Sequence, residues 1–135
     1  MMLTYANFDD ADLQGSTLAD HLIAVEAEFR IVDGLRTVYE EPHFPIAELA
    51  RSLSLWLRDG ARGFFIFDSM AFEELGVVMI SRADLGWKFS SVFTPALASS
   101  CLSWSEVEGC VRGFIDQVER DLIERGHDAA MVLRG

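Results

Sequence analysis

Residues 21–41, HLIAVEAEFRIVDGLRTVYEE, decide the fold class. Apolar side chains occupy every second position from Ile23 to Ile31, and small or charged residues stand between them, which predicts a strand with one buried face. Asp33-Gly34 is a strong hairpin signal, and the alternation resumes after it. We therefore predict a β-hairpin over residues 21–41.

A helix is predicted directly after the hairpin. Pro45 suits the first turn of a helix, and apolar residues then recur at helical spacing from Ile46 to Leu57. Asp59-Gly60 provides a stop signal.

Three short apolar runs follow this helix, and each predicts a strand. GFFIFDSM (63–70) and LGVVMIS (75–81) are apolar on both faces, so we expect them to lie centrally in the sheet. GWKFSSVF (86–93) alternates between apolar and polar residues, which indicates an outer strand.

A long amphipathic helix is predicted near the carboxyl end of the chain. Ser103 is its expected N-cap, with Glu106 three residues later, and its apolar face extends to about Arg125. Gly109 and Gly113 lower helix propensity, so we expect them to permit close packing on the sheet.

These elements define the α+β class. We predict an antiparallel β-sheet of about five strands, in the order ββ-α-βββ-α, covered by two helices. Residues 1–135 form a single domain in this interpretation. Residues 1–20 are an acidic lead-in, and residues 126–135 are a loose tail or a short edge strand.

The composition indicates a soluble cytoplasmic protein. The formal net charge is −11, and residues 1–50 hold ten acidic residues against two arginines. Such a field disfavours nucleic-acid binding and favours a basic partner, although many proteins are acidic for solubility alone. Cys101 and Cys110 are expected to be free thiols, and no apolar run approaches the roughly 20 residues of a membrane span. We expect a monomer or a homodimer.

The stretch ANFDDADLQGSTLAD, residues 6–20, contains three five-residue units centred on Phe8, Leu13 and Leu18. This is the pattern of a pentapeptide-repeat solenoid, a fold that can imitate DNA. Three units do not complete one turn of such a solenoid, so we interpret the stretch as an extended lead-in. A DNA-mimic protein remains a further alternative.

The three histidines form no recognised catalytic or metal-binding spacing. His21 at a strand start and His127 in the tail are expected to be solvated. We predict no catalytic residues, no metal site and no cofactor. The alternative function is a small-molecule-binding or enzymatic domain, with a pocket between helix and sheet that uses His43 and Asp68.

Two acidic segments are the predicted partner-binding surface. Carboxylates interleaved with apolar side chains suit a basic partner, because charge steers association and apolar anchors hold the complex. Met70 and Phe72 could equally point inward and leave the acids as loop solvation. The predicted site residues are Glu40, Glu41, Asp68, Met70, Phe72, Glu73 and Glu74.

The segments VYEEPHFPIAELARSLSLWL (38–57), FFIFDSMAFEELGVVMI (64–80) and GWKFSSVF (86–93), with the closing helix, resemble a family of small uncharacterised bacterial proteins of actinobacterial type. That family resembles immunity proteins of polymorphic toxin systems, and the likeness covers about residues 20–125. The resemblance implies a non-enzymatic inhibitor that binds and neutralises a basic partner or toxin.

Overall fold

The computed structural model describes residues 1–60 and 63–134. Within these residues the strands form two antiparallel three-stranded sheets, β1-β2-β3 and β4-β5-β6. The α+β class is therefore confirmed, but the strands are divided between two sheets instead of forming the single sheet predicted. The elements are β1 (Met2–Asp9), α1 (Leu18–Ala24), β2 (Glu26–Asp33), β3 (Arg36–Phe44), α2 (Ile46–Asp59), β4 (Phe65–Ile66), β5 (Met79–Ala83), β6 (Gly86–Ser90), α3 (Trp104–Glu124) and α4 (Ala129–Arg134).

The predicted hairpin is present as β2 and β3, but it begins later than expected. Its turn is the predicted one, with Asp33 paired to Arg36 and Gly34 in the left-handed region at φ 63°. Residues 18–24 form α1 instead of strand, because Thr17 and Asp20 make a reciprocal capping box. Ile23 therefore lies on a helix and is 62% exposed.

The amino-terminal segment is not a lead-in, since most of its first half is strand β1. This strand pairs antiparallel with β2, from Met2 opposite Val32 to Asp9 opposite Glu26, with an irregularity in between. Leu3 and Tyr5 are buried on one face. The alternation of apolar and polar residues that would predict this strand is short and ends at the first acidic residues, so it is a weak signal in the sequence.

In the second sheet, β5 is central as predicted, whereas β4 is a two-residue edge strand. Phe64 is 62% exposed and Ile66 is 54% exposed, so the first apolar run is not buried on both faces. Besides its pairing with β5, β6 forms isolated bridges to the segment that follows it, from Ser90 to Ala98 and from Trp87 to Leu102.

The helices cover one shared hydrophobic core. α2 ends at Gly60 in the left-handed region, and α3 begins at its predicted N-cap, Ser103. Gly109 and Gly113 do not make the close contacts expected of them, because an added Cβ at either position would meet no atom within 4 Å.

The carboxyl-terminal residues form helix α4, so the prediction of a loose tail or edge strand was wrong. Val132 and Leu133 are fully buried, and α4 packs against α2, α3 and α1. Arg51 of α2 donates a hydrogen bond of 3.2 Å to the Val132 carbonyl. Gly135, the last residue of the predicted tail, lies outside the described residues.

Three indole rings meet where α2, β6 and α3 come together. The ring centroids of Trp56 and Trp104 are 5.5 Å apart, and those of Trp87 and Trp104 are 5.3 Å apart. Trp56 and Trp87 lie 6.3 Å apart, which closes the triangle. These contacts tie the second sheet to the two longest helices.

Among the described helices, none is both long enough and apolar enough to span a bilayer.

Candidate functional site

The first predicted acidic pair lies on β3, the edge strand of the first sheet. Glu40 forms an exposed cross-strand ion pair with Arg30, at 3.3 Å between carboxylate and guanidinium. Glu41 is half-buried, and its carboxylate accepts a hydrogen bond of 3.5 Å from the Tyr39 hydroxyl. The two neighbouring acids therefore differ, since only Glu40 has a cationic partner in the described part of the chain.

Burial is the main reason why the pKa of Tyr39 is raised above its usual value, and the charge of Glu41 adds to the effect. The phenol consequently stays protonated over the physiological range and remains a hydrogen-bond donor to Glu41.

The second acidic segment is a loop between β4 and β5 that a buried carboxylate holds in place. Glu48 of α2 is only 6% exposed, and it accepts a 3.1 Å hydrogen bond from the Met70 amide. The hydroxyl of Ser69 donates to the other carboxylate oxygen, and the same hydroxyl accepts from the Ala71 amide at 3.0 Å. These hydrogen bonds fix residues 69–71 of the loop against α2.

The side chains of this loop divide between the core and the solvent. Met70 is 61% exposed, whereas Phe72 is half-buried and packs on Phe44 with ring centroids 5.9 Å apart. The inward orientation that the sequence left open therefore holds in part for Phe72 and does not hold for Met70. The three predicted acids of the loop are exposed: Asp68, Glu73 and Glu74.

An aromatic chain joins the two acidic segments. Phe93 stacks on Tyr39 at 6.3 Å and contacts Phe72 edge-on at 6.0 Å between ring centroids. Phe93 remains 44% exposed. We call the resulting region the acidic–aromatic surface, comprising Glu40, Glu41, Asp68, Met70, Phe72, Glu73, Glu74 and Phe93.

A cleft of about 550 Å³ lies beside Glu41, between β3 and residues 93–97. Thr94 lies beside β3, and its hydroxyl donates a 2.9 Å hydrogen bond to the Val38 carbonyl of that strand. We call this feature the β3 cleft. Its principal lining residues are Tyr39, Glu40, Glu41, Phe93, Thr94 and Leu97.

Sequence reasoning missed Glu48 and Phe93. Phe93 was expected to continue an outer strand. β6 instead ends at Ser90, and the Phe93 ring lies on the acidic–aromatic surface. Glu48 carried a usable signal: it is an acid between apolar residues of the first turn of α2, and Ala47 and Leu49 on either side of it are fully buried.

The histidines do not assemble with the acidic–aromatic surface. His43 is exposed at the end of β3, and neither it nor Asp68 lines the β3 cleft. His21 and His127 are not solvated as expected, because their rings meet edge-on at 5.1 Å.

This histidine pair joins the two ends of the chain. His127 donates to the Asp10 carboxylate at 2.7 Å, and Arg125 pairs with the same carboxylate at 3.2 Å. The hydrogen bond from His127 is the main cause that lowers the pKa of Asp10. Within residues 1–60 and 63–134, no three histidine, cysteine or acidic side chains are arranged to hold a metal ion.

The fold and its surface thus define an α+β protein with a preformed acidic–aromatic face. The chain belongs to the family described as Domain of unknown function (DUF7878), whose model matches residues 1–124. The match includes β1 and α1, so the first 20 residues are part of the family's shared sequence. No curated protein and no solved structure matches the chain significantly.

Proposed function

We propose that this protein is a non-enzymatic binding protein, an immunity-like inhibitor that neutralises a basic partner or toxin by direct contact. The proposal includes a cytoplasmic location, with the protein acting as a monomer or a homodimer.

One observation carries the proposal: the aromatic chain Tyr39–Phe93–Phe72 joins two acidic segments that are far apart in the sequence. An exposed aromatic ring between carboxylates supplies both of the components that protein interfaces use. Buried aromatic anchors contribute most of the binding energy, and surrounding charges raise the association rate and select the partner.

The hydrogen bonds of Glu48 also favour binding. A loop that is ordered in the free protein loses little conformational freedom when a partner docks, so more of the contact energy appears as affinity. Ser69 and Met70, the residues that donate hydrogen bonds to Glu48, lie in the same loop as the exposed acids Glu73 and Glu74.

The test begins with affinity capture from a lysate of the source organism, followed by purification of the captured protein. Its affinity is then measured by titration calorimetry against wild type and against Glu73→Lys/Glu74→Lys. We expect the reversal to weaken binding by about tenfold or more, because like charges would then face each other. If the partner is a toxin, an equimolar amount of wild-type protein should abolish its activity.

A matched control is Asp12→Lys/Glu124→Lys, which makes the same change in net charge at two exposed positions outside the acidic–aromatic surface. The control should change affinity by less than about threefold, since distant exposed charges are screened by salt. Equal losses in the two double variants would contradict the proposal, because they would reveal a response to total charge alone.

A further inference from the structure

The β3 cleft is lined by both apolar and acidic side chains. Tyr39 and Phe93 provide aromatic surface, and Leu97 adds an aliphatic side chain at the other end. The carboxylate of Glu41 stands beside the aromatic pair, held by the Tyr39 hydroxyl. A volume of about 550 Å³ lies within the range of sites that accept small ligands or long side chains.

Among the described residues, no neighbouring cation neutralises the charge of Glu41. Arg30 pairs with Glu40, and no lysine or arginine of the described residues forms an ion pair with Glu41. Because Tyr39 is a neutral donor, it orients the carboxylate without removing its charge. A half-buried carboxylate in this position attracts a cationic group into the cleft.

We propose that the β3 cleft receives one arginine side chain of the basic partner, an inference that rests on the proposed function. The planar guanidinium stacks on the exposed face of Phe93 and pairs with Glu41. Its methylene stem lies against Leu97. Arginine fits better than lysine, because a guanidinium stacks on aromatic rings and forms bidentate hydrogen bonds with a carboxylate, whereas an ammonium is a compact and strongly hydrated point charge.

The first experiment needs no partner. The ¹⁵N-labelled protein is titrated with the blocked tripeptide acetyl-Gly-Arg-Gly-amide, and amide chemical shifts are followed by NMR. We expect saturable shifts confined to residues 37–41 and 93–97, with a dissociation constant in the millimolar range. The citrulline peptide, which has nearly the same shape without the charge, should give at least tenfold weaker binding, and the lysine peptide should bind several-fold more weakly than arginine.

Two cleft variants and one control locate the site. Glu41→Gln should reduce arginine-peptide affinity at least tenfold, and Phe93→Leu should reduce it several-fold while keeping an apolar side chain. Glu124→Gln makes the same chemical change at an exposed position of α3, outside both the cleft and the acidic–aromatic surface, and should leave affinity unchanged. Shifts spread over all exposed acids, or full binding by Glu41→Gln, would overturn the inference.

The partner experiment separates this inference from the proposed function. If Glu73→Lys/Glu74→Lys weakens partner binding but Glu41→Gln does not, the proposed function holds and the arginine site is overturned. If the arginine peptide saturates the cleft and Glu41→Gln weakens partner binding at least tenfold, the inference is supported. If no residue of the acidic–aromatic surface affects partner binding, the proposed function itself fails.

Discussion

Glu48 is an acidic residue in a buried environment, with only 6% of its surface exposed. A carboxylate buried to this extent is tolerated because it accepts hydrogen bonds from the Met70 amide and the Ser69 hydroxyl. Glu48→Gln keeps an acceptor oxygen for only one of the two donors, so the Ser69 hydroxyl loses its carboxylate acceptor when the remaining oxygen accepts from the Met70 amide. We expect a loss of about 1–3 kcal/mol in the free energy of unfolding, measured by urea denaturation.

The same variant should loosen the loop locally. Hydrogen exchange of the Met70 and Ala71 amides should become faster than in wild type, because both depend on the Glu48–Ser69 network. Glu124→Gln, at an exposed position of α3, serves as control and should change stability by less than about 0.5 kcal/mol. Unchanged exchange at Met70 would show that Glu48 does not order the loop.

At this scale the sequence predicted part of the candidate site. The acids of the loops were identifiable because Glu73 and Glu74 are polar residues between apolar runs. Phe72 and Met70 could not be assigned, since burial of a loop side chain depends on what lies above it. For Phe72 the neighbours are Phe44 and Phe93, which are distant along the chain.

Among the elements, α3 offers a clear gain in stability. Gly109 and Gly113 both lie within the helix on exposed positions with space for a methyl group. Alanine should therefore stabilise the protein by about 0.5–1 kcal/mol at each site, because it costs less backbone entropy in a helix. Thermal and urea denaturation of the single variants measure the gain.

Gly86→Ala is the contrasting variant, since Gly86 has φ 148° and an added Cβ would lie 2.4 Å from the Leu102 carbonyl oxygen. It should destabilise the protein, because the Trp87–Leu102 bridge must shift to make room. A loss of stability in Gly109→Ala as well would contradict the open space beside this position of α3.

The elements that the sequence predicted correctly are those with long, regular patterns, such as β2 and α3. Two of the misassigned elements, α1 and α4, are short. α1 is only seven residues, and its boundary is fixed by the Thr17–Asp20 capping box, which the apolar alternation around Ile23 conceals. α4 has only six residues. Its buried positions, Val132 and Leu133, could not be recognised as a helix face from the sequence, because their burial results from packing against α2.

At the scale of the whole molecule, the amino-terminal and carboxyl-terminal segments of the chain contact each other. Asp10 follows β1, and His127 and Arg125 follow α3, yet the three side chains form one cluster. Deleting residues 126–135 removes His127 and the buried side chains Val132 and Leu133. Each buried aliphatic side chain contributes roughly 1.5–3 kcal/mol, so the deletion should cost about 3–6 kcal/mol or more.

That loss is large beside the roughly 5–15 kcal/mol that stabilise a typical domain, so the truncated protein should be marginally folded or unfolded. Circular dichroism and urea denaturation provide the measurement, and Leu133→Ala is the matched point variant, with an expected loss of about 2–5 kcal/mol. A truncated protein with wild-type stability would show that the family match, which ends at Glu124, already contains the complete folding unit.

The triangle of Trp56, Trp87 and Trp104 has an optical consequence. These are all the tryptophans of the chain, and they lie within energy-transfer distance of one another. Excitation is therefore shared, and the tryptophan emission reports one location, where α2, β6 and α3 meet. None of the three belongs to the acidic–aromatic surface, so intrinsic fluorescence follows unfolding of this junction.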